Sequence, residues 1–427
     1  MLYAPPPSTT RTTRSILTRQ RFAAAGAMLL VPFVPLGLRV LFLPYLSNEP
    51  SNTGSLVANI AAVVIAFWMR LSIQTFPGTR SGAVILPSIS AAHGIVLAIL
   101  LLARFPYDRT ALIVGFFVHL AWAYGLYVTV QRNIRQRIAI VPFGEVAQLA
   151  EIDSVDWHRL DTPALDRIAE CDAIVADFAN LPGEWEAFLA DAAIEGRVVY
   201  QTKQLFESLT GRVHIEHISE NSFGSLHPVR GYAHLKGLFD LGLALVVVPL
   251  LALPMVLIAI VIRLDSKGPA LFRQRRVGRA GRPITVYKFR TMEAFDPAQD
   301  QRLAAITTDD DARVTRVGNF LRRSRFDEFP QVINILKGER SWIGPRPEAA
   351  VLSTWYTGEI PFYRYRHVVK PGISGWAQVN QGHVAGVDEV HQKLQYDFFY
   401  IKYFSPWLDV LILFRTMRTI MTGFGAR

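Results

Sequence analysis

The stretch SRFDEFPQVINILKGERSWIGPRP (324–347) sets two adjacent acids, Asp327 and Glu328, just after Arg322, Arg323 and Arg325. Arg346 follows shortly, standing between two prolines. Carboxylates in a field of cations can stay ionised at neutral pH, because nearby positive charge favours the charged form. An ionised carboxylate can attack phosphorus, and it can also hold a divalent cation through oxygen. The flanking prolines stiffen GPRP into a loop able to present its arginine to a phosphate. These parts suit phosphoryl transfer, where catalysis is largely positioning and charge neutralisation. Alone, the acid pair reads as a helix start: Pro330 is comfortable only in a first turn, QVINIL supplies a buried face, and Gly338 is a natural stop.

Upstream, SKGPALFRQRRVGRAGRPITVYKFRTM (266–292) is basic and punctuated by glycine, and ITVYKFR alternates like a strand. Arg275, Arg276, Lys288 and Arg290 could clamp a diphosphate, since guanidinium groups pair with phosphate oxygens in bidentate fashion. The same cations could hold the protein to anionic lipid. VTRVGNFLRRS (314–324) spaces Val314, Val317, Phe320 and Leu321 as one helical stripe, with Arg316, Arg322 and Arg323 off it. The run Asp309, Asp310, Asp311 offers a different chemistry, a metal site of the kind that serves sugar transfer with UDP release. No strand immediately precedes it to aim the carboxylates.

The elements that must position these groups belong to a membrane protein. Half of the 427 residues are hydrophobic (51%), yet the formal charge is +10. That pairing suits basic surfaces meeting anionic lipid or phosphate-bearing substrates, and the long apolar runs argue against nucleic acid as the partner. The single cysteine, Cys171, excludes an internal disulfide and points to a reducing compartment. Residues 1–21 read as a disordered basic tail, without the features of a cleavable signal peptide. Apolar segments at 22–46, 55–76, 82–104 and 109–130 are each long enough to cross a bilayer and predict a four-helix transmembrane bundle over 22–136. The basic tail and the QRNIRQR linker place both bundle ends in the cytoplasm. Residues 137–225 predict a small α/β Rossmann-like cytoplasmic domain, with strands in RIAIVPFG, CDAIVADF and GRVVYQT and no Gly-x-Gly-x-x-Gly fingerprint. A further apolar helix, 236–263, contains Pro249 and Pro254 and has basic flanks at both ends: residues 263–290 carry nine Lys/Arg against one acid. Both ends therefore favour the same side, and the expectation is a re-entrant helix broken at Pro254. FSPWLDVLILFRTMRTI (404–420) predicts an interfacial segment.

The opening stretch, SKGPALFRQRRVG, YKFRTM and the downstream KPGISGWAQVN (370–380) together resemble the bacterial sugar transferase family, the monotopic phosphoglycosyl transferases, in order and spacing over 232–427. The regions before it look like the larger members, which include undecaprenyl-phosphate glucose and galactose phosphotransferases. The resemblance implies a C-terminal α/β catalytic domain on the cytoplasmic face of the bacterial inner membrane. It also implies a reaction: hexose-1-phosphate passes from a UDP-sugar to undecaprenyl phosphate, with release of UMP, at the start of exopolysaccharide, O-antigen or capsule synthesis. Asp327 would be the nucleophile of a covalent phosphosugar intermediate and a ligand of Mg2+, and Glu328 would assist the acceptor step. Lys288, Arg290, Arg322 and Arg346 would bind phosphate alongside Arg276, and Asp397 falls on a family acid. Phe326 stands where an aliphatic residue is usual, and QGHVAG lacks a common basic residue. Inner-membrane lipids are expected partners, and a second copy of the chain is a candidate one. The alternatives are a metal-dependent glycosyltransferase releasing UDP and a non-catalytic scaffold for polysaccharide assembly.

Overall fold

The computed structural model describes residues 20–42, 50–73, 81–131, 135–215, 228, 230–293, 313–382 and 386–422. The chain divides into two compact units, Met1–Thr210 and Gly211–Arg427.

The first unit opens with four helices, α1 (Gln20–Phe42), α2 (Pro50–Ile73), α3 (Ser81–Ala103) and α4 (Arg109–Leu126). All four are long and apolar enough to cross a membrane. They pack through small and β-branched side chains: Ala27 and Val31 meet Val63 beside Trp122, and Ala66 meets Ile85, Ile89, Ala92 and Ala123. Small residues let helix backbones approach closely where lipid removes the usual hydrophobic drive. Their outward faces keep Leu29, Leu41, Trp68, Leu102 and Phe117 exposed. An apolar surface of that kind is solvated by lipid, and the chain is a membrane protein.

The same unit continues with a four-stranded parallel sheet in the order β2–β1–β3–β4, formed by β1 (Arg137–Ile140), β2 (Asp156–Arg159), β3 (Ala173–Ala176) and β4 (Val198–Gln201). Between them lie the short helices α5 (Ala147–Ala150) and α6 (Gly183–Ile194), and α7 (Thr202–Thr210) follows β4. One face is covered by Trp185, Phe188, Leu189 and Ala192, the other by Leu149, Leu205 and Phe206. The three expected strands are present. β2 was not expected, because DWHR is polar and mostly exposed at a sheet edge and carries no apolar alternation.

The second unit begins at Gly211, earlier than the boundary near 225 read from composition. Val213 and Ile215 are buried in its main core, and Trp376 Nε1 donates to the Gly211 carbonyl at 2.8 Å. Next comes α8 (Arg230–Asp265), a 36-residue helix with both prolines inside. The break expected at Pro254 is not an interruption of the helix, which is continuous through it. A proline removes one hydrogen bond, and the flanking turns can stay helical around that loss. One stripe of α8 packs on its own globular unit along almost its whole length. Lys236 pairs with Asp409, and Asp240 accepts from the Trp342 backbone N–H. Ala244 and Val248 meet Val332 and Ile335, while Met255, Ile258, Ala259 and Ile262 meet Phe289, Leu321 and Phe329. The opposite face exposes Leu238, Phe239, Leu250, Leu253, Val256 and Leu257.

After α8, β5 (Leu271–Val277) and β6 (Pro283–Phe289) form an antiparallel hairpin. Then follow α9 (Arg316–Ser324), a 3-10 turn (Phe326–Gln331), α10 (Val332–Leu336), β7 (Ser341–Ile343) and α11 (Ala350–Glu359). The unit closes with β8 (Gly372–Ser374), which pairs parallel to β7, and the helices α12 (Trp376–Asn380), α13 (Val387–Lys402) and α14 (Pro406–Thr422). Its core is aromatic, with Tyr356, Tyr363, Phe398, Phe399 and Tyr400 buried together.

Candidate active site

The acid pair sits where α9 stops. Thr315 caps the start of α9 by accepting from the Gly318 N–H, and Arg325 ends it in the left-handed region at φ 60°. That reversal starts the 3-10 turn carrying Phe326, Asp327 and Glu328. The expected helix start at Asp327 is thus a 3-10 turn, and α-helical geometry begins only at Val332. Gly338 closes the segment at φ 70°, as the sequence implied.

Both carboxylates are buried. Arg346 Nη2 lies 2.7 Å from Glu328 Oε1, and Lys288 Nζ lies 3.3 Å from the same oxygen. Lys288 stands 3.9 Å from Asp327 Oδ2. The two acids therefore differ. For Glu328, burial alone would push its pKa up, but Arg346 and Lys288 outweigh it and hold the carboxyl well below the usual range. For Asp327, burial dominates, and the Glu328 charge beside it adds to the upward shift despite Lys288. Cations all around do not keep both acids equally ionised, because the closest ones are committed to Glu328. Burial lowers Lys288 to about 8, with Glu328 opposing and Arg346 reinforcing.

Arg346 is aimed by its backbone. Prolines on both sides deprive the loop of N–H donors for turns of its own, and three successive carbonyls are taken by donors from elsewhere. Gly372 N–H donates to Pro345 O (3.0 Å), Arg366 Nη2 to Arg346 O (2.9 Å), and Arg276 Nη1 to Pro347 O (2.5 Å). Arg366 is held in turn by Asp397 at 2.7 and 3.1 Å and by the Tyr363 hydroxyl at 2.8 Å. Glu348 lies 3.7 Å from Arg366 and pairs with Lys393. Gly372 has no room for a side chain, since a Cβ there would come within 2.1 Å of Gly344 N.

The structure brings Asp327, Glu328, Lys288 and Arg346 together. Arg276 is within electrostatic reach of Glu328 and Arg346, but its guanidinium is bonded to Pro347 O and to Gln274. Asp397 lies behind Arg346 and contacts Arg366. Arg322 Nε donates to Thr291 Oγ1 at 2.9 Å. Arg290 spends its guanidinium on Ser266 and Lys267, the turn that ends α8, at 2.7–2.8 Å. Asp309, Asp310 and Asp311 lie outside the described residues. Arg340 and Arg366 were not singled out in the sequence. Arg340 is fully buried between Gln331 and the Gly372 carbonyl, behind the acid pair. Neither has a local signal that ties it to the site, because Gly372 lies 32 residues from Arg340 and Asp397 lies 31 from Arg366.

Among the described residues no group of three or more acids, histidines or cysteines could hold a metal by itself. Magnesium commonly takes one or two carboxylates and completes its shell with water and substrate phosphate oxygens. Asp327, less neutralised than its neighbour and raised by burial, fits such a ligand, whereas Glu328 is occupied by Arg346.

A membrane-attached α/β unit carrying buried carboxylates among buried cations is the class that fold and site define. The bacterial sugar transferase family model matches residues 231–423, and the chain belongs to that family. A UDP-N-acetylgalactosamine-undecaprenyl-phosphate N-acetylgalactosaminephosphotransferase of Aeromonas hydrophila is 44% identical over 354 residues, 82% of this chain and 83% of that protein. UDP-glucose:undecaprenyl-phosphate glucose-1-phosphate transferases are similar over shorter stretches. That of Escherichia coli K12 is 41% identical over 43% of this chain and 39% of its own length, and that of Xanthomonas campestris 45% over 38% and 34%.

Proposed function

We propose that the protein transfers a sugar-1-phosphate from a UDP-sugar to undecaprenyl phosphate and releases UMP. The observation that carries this reading is the contrast within the acid pair: Glu328 is locked between Arg346 and Lys288, while Asp327 beside it keeps a carboxylate that the protein's own cations incompletely neutralise. Asp327 Oδ attacks the sugar-linked phosphorus, the bond from that phosphorus to the bridging oxygen breaks, and UMP leaves with the oxygen. An oxygen of undecaprenyl phosphate then attacks the same phosphorus and Asp327 departs, giving a lipid diphosphate sugar. Lys288 and Arg346 neutralise the phosphoryl oxygens, and Glu328 orients Arg346 and assists the acceptor. A bound Mg2+, held by Asp327 with the diphosphate, would supply further charge neutralisation.

In this reading α8 is re-entrant, the catalytic unit stays on the cytoplasmic face of the inner membrane, and α1 to α4 cross that membrane. Support comes from the packing of α8. A spanning helix leaves its globular unit as it enters lipid, whereas α8 contacts that unit from Lys236 to Ile262. The relative that matches most of the chain is named for N-acetylgalactosamine, so UDP-N-acetylgalactosamine belongs beside UDP-glucose and UDP-galactose in a donor panel.

Identifying the leaving nucleotide tests the proposal. UMP is expected, with a phosphosugar label on the wild-type protein that Asp327→Asn abolishes, and UDP release would overturn the reading. Because burial disfavours the charged Asp327, Asp327→Asn should unfold no earlier than wild type, which separates lost chemistry from lost folding.

A further inference from the structure

We infer that Phe320, Phe326 and Phe329 form the seat for the first isoprene units of the lipid acceptor, an inference that rests on the phosphosugar-transfer reading above. Phe326 immediately precedes Asp327 and is 37% exposed, and Phe320 is 62% exposed on α9. The left-handed Arg325 folds the 3-10 turn back on the helix, so that the Phe320 and Phe326 rings stand edge to face at 6.2 Å. Phe326 meets Phe329 at 4.7 Å between centroids. Phe329 in turn packs into the cluster of Met255, Ile258, Ala259 and Ile262 from α8. The result is an unbroken apolar path from the lipid-facing helix to the residue beside the nucleophile.

Reaction geometry selects the occupant. The acceptor's phosphate must meet the phosphorus carried by Asp327, and its first isoprene unit is joined to that phosphate through a single ester oxygen. The first units therefore lie beside Asp327, where Phe326 and Phe320 are exposed apolar side chains. UDP-sugars carry no comparable apolar group. Branched, unsaturated hydrocarbon packs well on aromatic faces.

The test uses the full-length protein with Phe320→Ser, Phe326→Ser and Phe326→Leu. Three quantities are read: UMP released in the first turnover without acceptor, KM for undecaprenyl phosphate, and KM for a three-isoprene phosphate in a fixed detergent. First-turnover UMP should match wild type. Both acceptor KM values should rise about tenfold in the serine variants, the scale of losing a few tens of Å2 of apolar contact, with Phe326→Leu restoring most of the loss. Flotation with phospholipid vesicles should not change. Weakened flotation with an unchanged KM for the short acceptor would reduce the aromatic residues to a membrane anchor and overturn the inference. Loss of first-turnover UMP would overturn it too, by assigning them to the donor. Should wild-type protein release no UMP at all, the proposed function fails instead, before any variant is compared. Phe320, the most exposed of the three, keeps the test decisive if Phe326→Ser folds poorly.

Discussion

Replacing Arg366 with lysine tests whether Arg346 is aimed by its backbone. Arg366 reaches Asp397 twice (2.7 and 3.1 Å), the Tyr363 hydroxyl (2.8 Å) and the Arg346 carbonyl (2.9 Å). Lysine keeps the charge, so Asp397 is not stranded, but one ammonium nitrogen cannot span that fan of acceptors. At about 1.5–3 kcal/mol for each hydrogen bond involving a charged group, losing two costs about 3 kcal/mol at the low end. If the Arg346 carbonyl is one of the acceptors released, the loop is free to shift, and a displacement of roughly 1 Å at a positioning group costs about 100-fold in rate. The assay is UMP release under saturating donor and acceptor, at a temperature well below the variant's own unfolding midpoint. The expected outcome is a kcat down by about two orders of magnitude with a modest change in donor KM. Arg346→Lys serves as the reference for losing the guanidinium itself. A folded Arg366→Lys protein with wild-type kcat, alongside an Arg346→Lys protein that is dead, would refute the reasoning, because the loop would then hold its aim without the carbonyl donor.

The depressed Lys288 gives a pH signature. Its folded pKa, lowered to about 8, means the cation is complete only well below pH 8 and is lost as pH rises through that value. Donor KM should climb above pH 8, and Lys288→Arg should move that limb to higher pH; an unshifted limb would assign it to another group. Without substrate the linkage runs the other way: between about pH 8 and 10.5 the unfolded chain binds the extra proton, so this group's contribution to stability rises with pH. Cysteines placed just outside Lys236 and Arg263, with Cys171 replaced, should react with an impermeant reagent from the same side, and labelling from opposite sides would make α8 a true span. A fragment of residues 211–427 should bind membrane and release UMP, whereas one beginning at 226 loses Val213, Ile215 and the Gly211 carbonyl from its core and should unfold at lower temperature. Equal melting of the two fragments would contradict that packing.

Much of this architecture was legible because it is written in runs. Four apolar stretches became four long helices, and three β-branched runs became three strands of one parallel sheet. The acid pair and Arg346 stand out in the sequence because local context marks them, carboxylates among arginines and an arginine between prolines, and the structure brings them together with Lys288. What escaped was set by tertiary partners. Arg290 and Arg276 read as phosphate clamps in a basic string, but nothing local tells that one bonds the turn after α8 and the other the Pro347 carbonyl. Arg366 looks like one charge in YRYRHV, yet it links Asp397, 31 residues away, to the Arg346 loop. The unit boundary at Gly211 was missed for a related reason: Val213 and Ile215 are too few to form a pattern, and only the aromatic core they enter gives them meaning.

The electrostatics explain why so many cations surround two acids. Burial and mutual repulsion lower Arg276 to about 10 and Arg340 to about 9, alongside Lys288, so three buried bases hold their protons less tightly than they would in water. Arg346 is shifted upward, because Glu328 is its direct partner. Such a cluster is poorly compensated by its own acids. On the proposed function, an arriving diphosphate would supply the missing negative charge and relieve desolvated cations that already stand in place, with no reorganisation required at that moment. On that reading Glu328 has a reason to sit beside Asp327 rather than elsewhere. On the proposed mechanism Glu328 engages Arg346 and Lys288 and keeps them within reach of the phosphate, leaving Asp327, 3.9 Å from Lys288, available to attack.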